Sequence, residues 1–392
     1  MPWMETCPVE ERVRFVNSVV REGWGVTAAC LAFGVSRKTG HKWLLRYQEL
    51  GLEGLYDLSR ARHTQEHAVA EPVRRLVTEA RQLHPTWGPK KLRPWLLRRH
   101  PGLELPSLTT MATILRDAEL VKPRRRGQRL KGPQGAGGGE DRPNGVWAVD
   151  FKGQFRLGDG SLCYPLTVSD VCSRYLLACR GLEGTSWPPV RRAFERLFRE
   201  RGLPERLRSD NGVPFASRGP GRLSRLAVWW IDLGIGLQRI TPGRPQENGR
   251  HERMHRTLKR ETAAPPASSA RAQQTRFDRF RVCFNEDRPH EALGQECPAQ
   301  HYEPSRRPYP EHIGPPEYPG HYERRSVRAH GAIKWGGELV YVSECLVGRA
   351  VGLVEVEEDR WEVYYRDHPV GTLGREGRRL RVRPIGTPDP GT

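Results

Sequence analysis

GRPQENGRHERMHRTLKRE, residues 243–261, supports two incompatible readings, and the choice between them decides the fold. His251, Glu252 and His255 spell H-E-x-x-H. On a helix that spacing sets two imidazoles one turn apart on one face, the zinc signature of metallohydrolases. The same Glu252 follows Asn248 in N-G-x-x-E, behind a Pro-containing loop and ahead of a basic helix. Glu252, Arg256 and Lys259 recur at i, i+4 and i+7, so one face carries an acid and two cations. Arg250, Arg253 and Arg256 flank the histidines, a neighbourhood that repels a dication. A five-residue pattern with two free positions also arises often by chance. The bland alternative for His251 and His255 is that they pack or touch phosphate.

The segments upstream favour the second reading. VWAVDF (146–151) is a short apolar strand ending in Asp150, and ERLRSDNG (205–212) is a strand that stops at Asp210 before Asn-Gly. Between them, LCYPLTVSD (162–170) and RYLLACR (174–180) read as strands joined by a turn at Asp170–Ser173, with Asp170 a turn former. Asp159-Gly160 reads as a hairpin turn. PPVRRAFERLFRERG (188–202) and SRLAVWWIDLG (224–234) read as helices and GLQRI (236–240) as a strand, a mixed α/β layer pattern. Asn211 and Gly212 shape the exit that aims Asp210. Carboxylates gathered at one sheet edge make an oxygen-rich site suited to magnesium or manganese rather than zinc. Two such ions, with Asp150 bridging both, Asp210 on one and Glu252 on the other, suit displacement at phosphorus.

The amino-terminal region has a different grammar. Residues 8–21 are helical by spacing, TAACLAF (27–33) is a short helix, Gly34-Val35 a turn, and Ser36 caps SRKTGHKWLLRYQEL (36–50). This is the helix-turn-helix pattern, with Arg37, Lys38, Thr39, His41 and Lys42 toward DNA and Trp43, Leu44 and Tyr47 in the core. The alternative is an ordinary three-helix bundle with a solvated basic face. Three further helices (69–84, 87–100, 107–120) form a second helix-turn-helix or a helical spacer. Residues 122–145 are a Gly/Pro linker whose Arg124, Arg125 and Arg126 suit a phosphate backbone. ETAAPPASSA (261–270) reads as a disorder-prone break, and RAQQTRFDRFRVCFNE (271–286) as a helix.

The expected organisation is 1–62 helix-turn-helix, 63–121 second helical domain, 122–145 linker, 146–301 catalytic core with its extension, 302–320 Pro-rich linker and 321–392 a small all-β, barrel-like domain. The 392 residues carry a formal net charge of +19 and a pI near 10.0, which points to a polyanion, nucleic acid first. No apolar run is long enough to span a bilayer, and no membrane partner is expected. The eight cysteines form no C-x-x-C and read as reduced thiols of a cytoplasmic protein.

VDF, SDNG and PGRPQENGRHERMHRTLKRE, in this order, resemble the catalytic core of DDE insertion-sequence transposases that share the retroviral-integrase core. NEDRPHEALGQECPAQHY (285–302) resembles the segment that follows it. The resemblance implies a ribonuclease-H-like fold, two magnesium or manganese ions, and a homo-oligomer holding two double-stranded DNA ends in a bacterial, nucleoid-associated setting. It implies Asp150, Asp210 and Glu252 as the metal-holding triad, Arg256 and Lys259 as DNA contacts, and the loop from Gly243 to Gln246, with Arg244, beside the scissile phosphate. The activity implied is binding of terminal inverted repeats, cleavage of 3′ ends and joining to target DNA. Forty-one residues separate Asp210 from Glu252, longer than the retroviral spacing, and SRGPGR (217–222) accounts for the excess. Glu247 is the rival third acid. The retroviral His/Cys zinc module is absent, with the helix-turn-helix in its place. The competing functions are a DNA-binding regulator with an inert core, a nuclease that cuts without joining, and the zinc hydrolase.

Overall fold

The computed structural model describes residues 7–58, 69–121, 140–217, 219–240, 249–376 and 379–383. Arg124, Arg125, Arg126, Arg244 and Glu247 lie outside the described residues, as does the 243–246 loop. The chain divides into two compact units, Met1–Val69 and Ala70–Thr392.

The first unit holds α1 (Pro8–Val20), α2 (Val26–Ala32) and α3 (Arg37–Leu50). Gly34, at φ +64°, makes the turn between α2 and α3, and Ser36 Oγ accepts from Thr39 N at 3.2 Å to cap α3. Phe15, Val16, Ala29, Cys30, Trp43, Leu44 and Leu55 form its core. Gly40 lets α3 approach that core: a Cβ there would meet Cys30 Sγ and stand 2.8 Å from Phe15 Cζ. Arg37, Lys38, His41 and Lys42 are exposed along α3, and Thr39 is half-buried at the cap.

The second unit begins with α4 (Glu71–Leu83), α5 (Pro89–Arg99) and α6 (Leu108–Asp117), packed around Trp87, Leu92, Trp95 and Met111. It continues through β1 (Val146–Phe151), β2 (Phe155–Arg156), β3 (Leu162–Asp170), β4 (Leu176–Leu182), α7 (Trp187–Arg201), β5 (Arg206–Ser209), α8 (Arg225–Asp232), β6 (Gly236–Arg239), α9 (Gly249–Thr262) and α10 (Ala270–Val282). β3 pairs antiparallel with β4 on one edge and with β1 and the short β2 on the other. β5 and β6 then add in parallel beside β1. Three antiparallel strands followed by two parallel ones, with helices on both faces, is the ribonuclease-H-like arrangement. Trp147 and Val149 point into the core with α7 and α8, while Ala148 and Asp150 belong to the opposite face.

Two connecting segments differ from their expected state. Residues 261–270 are ordered rather than a break. Gln273 bridges Thr262 O and Ala267 N, and Gly158 N and Asp159 N donate to Ala267 O and Ser268 O at 2.9 Å. The start of the Pro-rich 302–320 stretch is strapped to the core, because Tyr302 is buried and Arg307 donates to the carbonyls of Pro204, Leu233 and Gly234.

The carboxy-terminal strands are β7 (Glu323–Ser326), β8 (Ala332–Trp335), β9 (Glu338–Tyr341), β10 (Ala350–Glu357), β11 (Arg360–Tyr365), β12 (His368–Glu376) and β13 (Arg379–Arg383). They form a five-stranded sheet, β13-β12-β11-β10-β7, whose two edges meet the β8–β9 hairpin. Its apolar face shares one core with Leu223, Ala227, Val228 and Ile231 of the α8 region. Asp232, at the end of α8, accepts from Tyr365 Oη at 2.5 Å, Arg349 Nη1 at 2.5 Å and Arg366 Nε at 3.1 Å.

Candidate active site

Local chemistry fixes where each acid sits. β1 is flanked by β3 and β5, so Asp150 is carried at the end of a central strand, opposite Thr167 in the register. β5 stops at Ser209, and the chain turns at once: Gly212 N donates to Asp210 Oδ1 at 3.1 Å, and Asn211 Nδ2 donates to Ile240 O at 2.9 Å. A Cβ on Gly212 would crowd Asp210 Oδ2 at 3.2 Å, so the turn favours glycine.

α9 is amphipathic, with a buried stripe and an exposed, charged face. His251, Met254, His255 and Leu258 are its buried stripe, at i, i+3, i+4 and i+7. Glu252, Arg256 and Lys259 are exposed on the adjoining face. The H-E-x-x-H histidines therefore seat the helix against the sheet and turn Glu252 outward.

Their hydrogen bonds leave no zinc-binding arrangement. Thr167 Oγ1 lies 2.7 Å from His251 Nε2 and 2.6 Å from His255 Nε2, and 3.1 Å from Asp150 O. A threonine hydroxyl has one proton. When it goes to the Asp150 carbonyl, both imidazoles must donate through Nε2–H. His251 Nδ1 then accepts from Ser169 Oγ at 3.1 Å, and His255 Nδ1 stands 3.7 Å from Asp150 Oδ2. Burial foremost drives the two imidazoles down to about 3 and about 2, so both are neutral near pH 7. Among the described residues no group of three His, Cys, Asp or Glu is arranged around a metal position.

The carboxylates do sense one another. Asp150 is pushed up to about 7, first by burial and then by the Asp210 carboxylate, with Glu252 adding to it; the Phe151 backbone and the Lys152 ammonium pull the other way. Asp150, Asp210 and Glu252 are thus brought within electrostatic reach. Asp170 is not part of this set: its buried carboxylate accepts from Ser173 N, Ser173 Oγ and Asn144 N.

Sequence reading missed Thr167, Ser169, Lys152 and Arg239. Thr167 and Ser169 had a signal, two hydroxyls spaced by two in an otherwise apolar strand, hence on one face. Arg239 ends β6 within reach of Asp210, held by a bond to Arg222 O at 2.8 Å, and nothing local marks it.

Residues 140–245 and 233–298 match two family models described as integrase core domain. Residues 11–63 match a helix-turn-helix domain and 39–115 a homeodomain-like domain. The chain is 30% identical over 159 residues to an uncharacterized 31.7 kDa protein of insertion element IS407 from Burkholderia multivorans, covering 40% of this chain and 55% of that protein. It is 28% identical over 227 residues to an uncharacterized 39.2 kDa protein of insertion element IS476 from Xanthomonas euvesicatoria, covering 57% and 62%. The matches thus span less than two thirds of either relative. Among solved structures, the HTLV-2 integrase catalytic core in complex with magnesium aligns at 15% identity and a TM-score of 0.33, covering 41% of this chain and 98% of that one. No helix among the described residues is long and apolar enough to cross a membrane. The chain thus carries helix-turn-helix matches at its amino end and integrase-core matches across Asp150, Asp210 and Glu252, and is similar over part of its length to proteins of insertion elements.

Proposed function

We propose that this chain is a DNA transposase that binds the terminal inverted repeats of its element through residues 8–120, cleaves the 3′ ends and joins them to target DNA. The observation that carries the reading is that the Asp150 carboxyl on β1 feels the charges of Asp210 at the β5 exit and Glu252 on α9, a helix that also exposes Arg256 and Lys259.

In donor chemistry Asp150, Asp210 and Glu252 suit a divalent cation, although as placed they are not gathered around one metal position. The donors are carboxylate oxygens, which suit magnesium or manganese. The Asp150 carboxyl is raised to about 7, first by burial and then by Asp210, with Glu252 adding to it, charge that a bound cation would offset. Asp150, Asp210 and Glu252 would hold the ions, two per site in this reading. When bound, such ions supply Lewis-acid activation of the attacking oxygen and stabilise charge on the leaving one.

The chain's own residues do the positioning. His251 and His255 lock α9 against Thr167 and so fix Glu252 relative to Asp150. Arg256 and Lys259, one and two turns along the exposed face, offer the phosphodiester backbone charged contacts. In-line displacement needs no Ser, Tyr or Cys nucleophile. In unit one, Arg37, Lys38, His41 and Lys42 offer a recognition helix to the major groove, with Thr39 at its cap. Arg124, Arg125, Arg126 and Arg244 complete the proposed DNA contacts, and the working form on DNA is a homo-oligomer.

The test incubates the protein and magnesium with duplexes carrying the element's ends and a plasmid target. Nicked ends and joined products are expected, both lost in Glu252→Gln. Joining that survives Glu252→Gln contradicts the assignment, and loss in Glu247→Gln alone moves the role there. Cutting without joined products would make the protein a nuclease.

A further inference from the structure

SRGPGR (217–222), the stretch that lengthens the spacing from Asp210 to Glu252, takes no part in the proposed reaction. Its described residues, Ser217 and 219–222, nevertheless touch both the carboxy-terminal sheet and the turn that carries Asp210. On the sheet side they meet β12. Gly221, at φ +62°, comes so close that a Cβ there would stand 3.1 Å from Val370 Cα and 3.2 Å from Val370 O. The His368 ring, at the start of β12, is hydrogen-bonded to the Gly221 backbone. Leu223, next along, is buried in the apolar core of the sheet. The stretch is also closed on itself: Arg222 N donates to Gly219 O at 2.9 Å, and Ser217 N to Arg222 O at 3.1 Å.

On the other side the contacts run to Asp210. Arg239 Nη2 donates to Arg222 O at 2.8 Å, and Arg222 Nη1 reaches Asn211 Oδ1 at 3.4 Å. Arg239 is the register partner of Ser209, the residue before Asp210, and Ile240 N donates to Ser209 O at 3.3 Å. Asn211 Nδ2 closes the same turn on Ile240 O, and Gly212 N closes it on Asp210 Oδ1. Burial foremost, and then Arg222, lowers the Arg239 guanidinium, while the Asp210 carboxylate opposes both, so Arg239 and Asp210 lie within electrostatic reach. Arg222 itself sits at φ +49°, a left-handed conformation that a non-glycine residue keeps only where its surroundings hold it.

We propose that this stretch is a clasp by which the carboxy-terminal sheet positions Asp210, with Arg222 and Arg239 as its positioning residues. β12 holds the turn at Gly221, the Arg222 carbonyl fixes the Arg239 side chain, and Arg239 and Asn211 hold the exit from β5. The added residues between Asp210 and Glu252 thus tie one acid to a distant part of the chain. The consequence for metal binding rests on the metal-holding role proposed for Asp210.

Hydrogen exchange is followed in the metal-free, full-length protein at the peptide containing Gly212, and manganese binding is titrated by calorimetry. Gly221→Val changes no charge, and its side chain would meet the Val370 backbone. We expect it to speed exchange at Gly212 and to weaken manganese binding, each by about tenfold. Arg239→Met speeds the same exchange, and Arg239→Lys, which keeps a donor for Arg222 O, restores it. Loosening confined to β12, with exchange at Gly212 unchanged in both Gly221→Val and Arg239→Met, marks a merely structural contact and overturns the clasp. Manganese affinity that stays the same in Gly221→Val while exchange rises overturns it too. Faster exchange at Gly212 in the variants, with no manganese bound by any form including the wild type, supports the clasp and sinks the metal reading.

Discussion

His255 Nε2 lies 2.6 Å from Thr167 Oγ1, on the strand paired with that of Asp150, and the same hydroxyl serves His251 at 2.7 Å. One threonine therefore fixes both histidines of the H-E-x-x-H stretch and, through them, the helix that carries Glu252. Thr167→Val keeps the shape and removes the hydroxyl, leaving two buried ring nitrogens without it. The expected cost is about 1–3 kcal/mol in urea unfolding, with weaker manganese binding. Stability unchanged by Thr167→Val would show that the hydroxyl does not seat α9.

Asp150 links metal binding to pH. Its carboxyl is raised from 3.8 to about 7 in the folded chain. Between those values the native state binds more protons than the unfolded one, so the metal-free protein loses this stability as pH rises toward about 7. Cation binding must expel the proton. Manganese affinity is thus expected to rise from pH 6 to pH 8, with proton release measurable by calorimetry in two buffers. Asp150→Asn is expected to leave the metal-free protein no less stable, to abolish the manganese-induced rise in melting temperature, and to remove the pH dependence.

The proposed acids could be named from sequence because they sit where local sequence speaks. An apolar run ending in Asp150 marked one strand, and Asn-Gly marked the turn after Asp210 that ends another. The i, i+4, i+7 spacing of Glu252, Arg256 and Lys259 marked one helix face. Thr167 was invisible as a partner of His251 and His255 because cross-strand register is tertiary information. The same limit explains residues 261–270, whose composition suggests a break. Their order comes from Gln273 and from β2–β3 hairpin residues far away in sequence. Asp232 likewise looked like an ordinary helix-end acid, and its partners lie more than a hundred residues downstream.

Asp232 joins the carboxy-terminal sheet to α8. Its side chain is 3% exposed, while Arg349 is 39% exposed. Asp232→Ala is expected to cost about 2–3 kcal/mol, below the ~3–5 kcal/mol of a fully buried pair because Arg349 can rehydrate. Limited proteolysis should then cut faster within 305–320, and an unchanged digestion pattern would show that the shared apolar core alone holds the sheet.

The first unit should fail in two separable ways. Gly40→Val forces a side chain against Cys30 and Phe15 and is expected to cost about 1–3 kcal/mol, measured by thermal melting. Lys38→Ala and Lys42→Ala leave the fold intact but should each lower the salt dependence of DNA binding, by about one in the log–log slope. Equal salt slopes in wild type and variants would place the recognition surface elsewhere.

The most direct test of the central claim is anomalous diffraction from crystals of the full chain soaked in manganese, with zinc in parallel. Manganese peaks are expected among Asp150, Asp210 and Glu252, with none on the histidines. A zinc peak on His251 and His255, with nothing at the two aspartates, would contradict it and return the 243–261 stretch to the hydrolase reading.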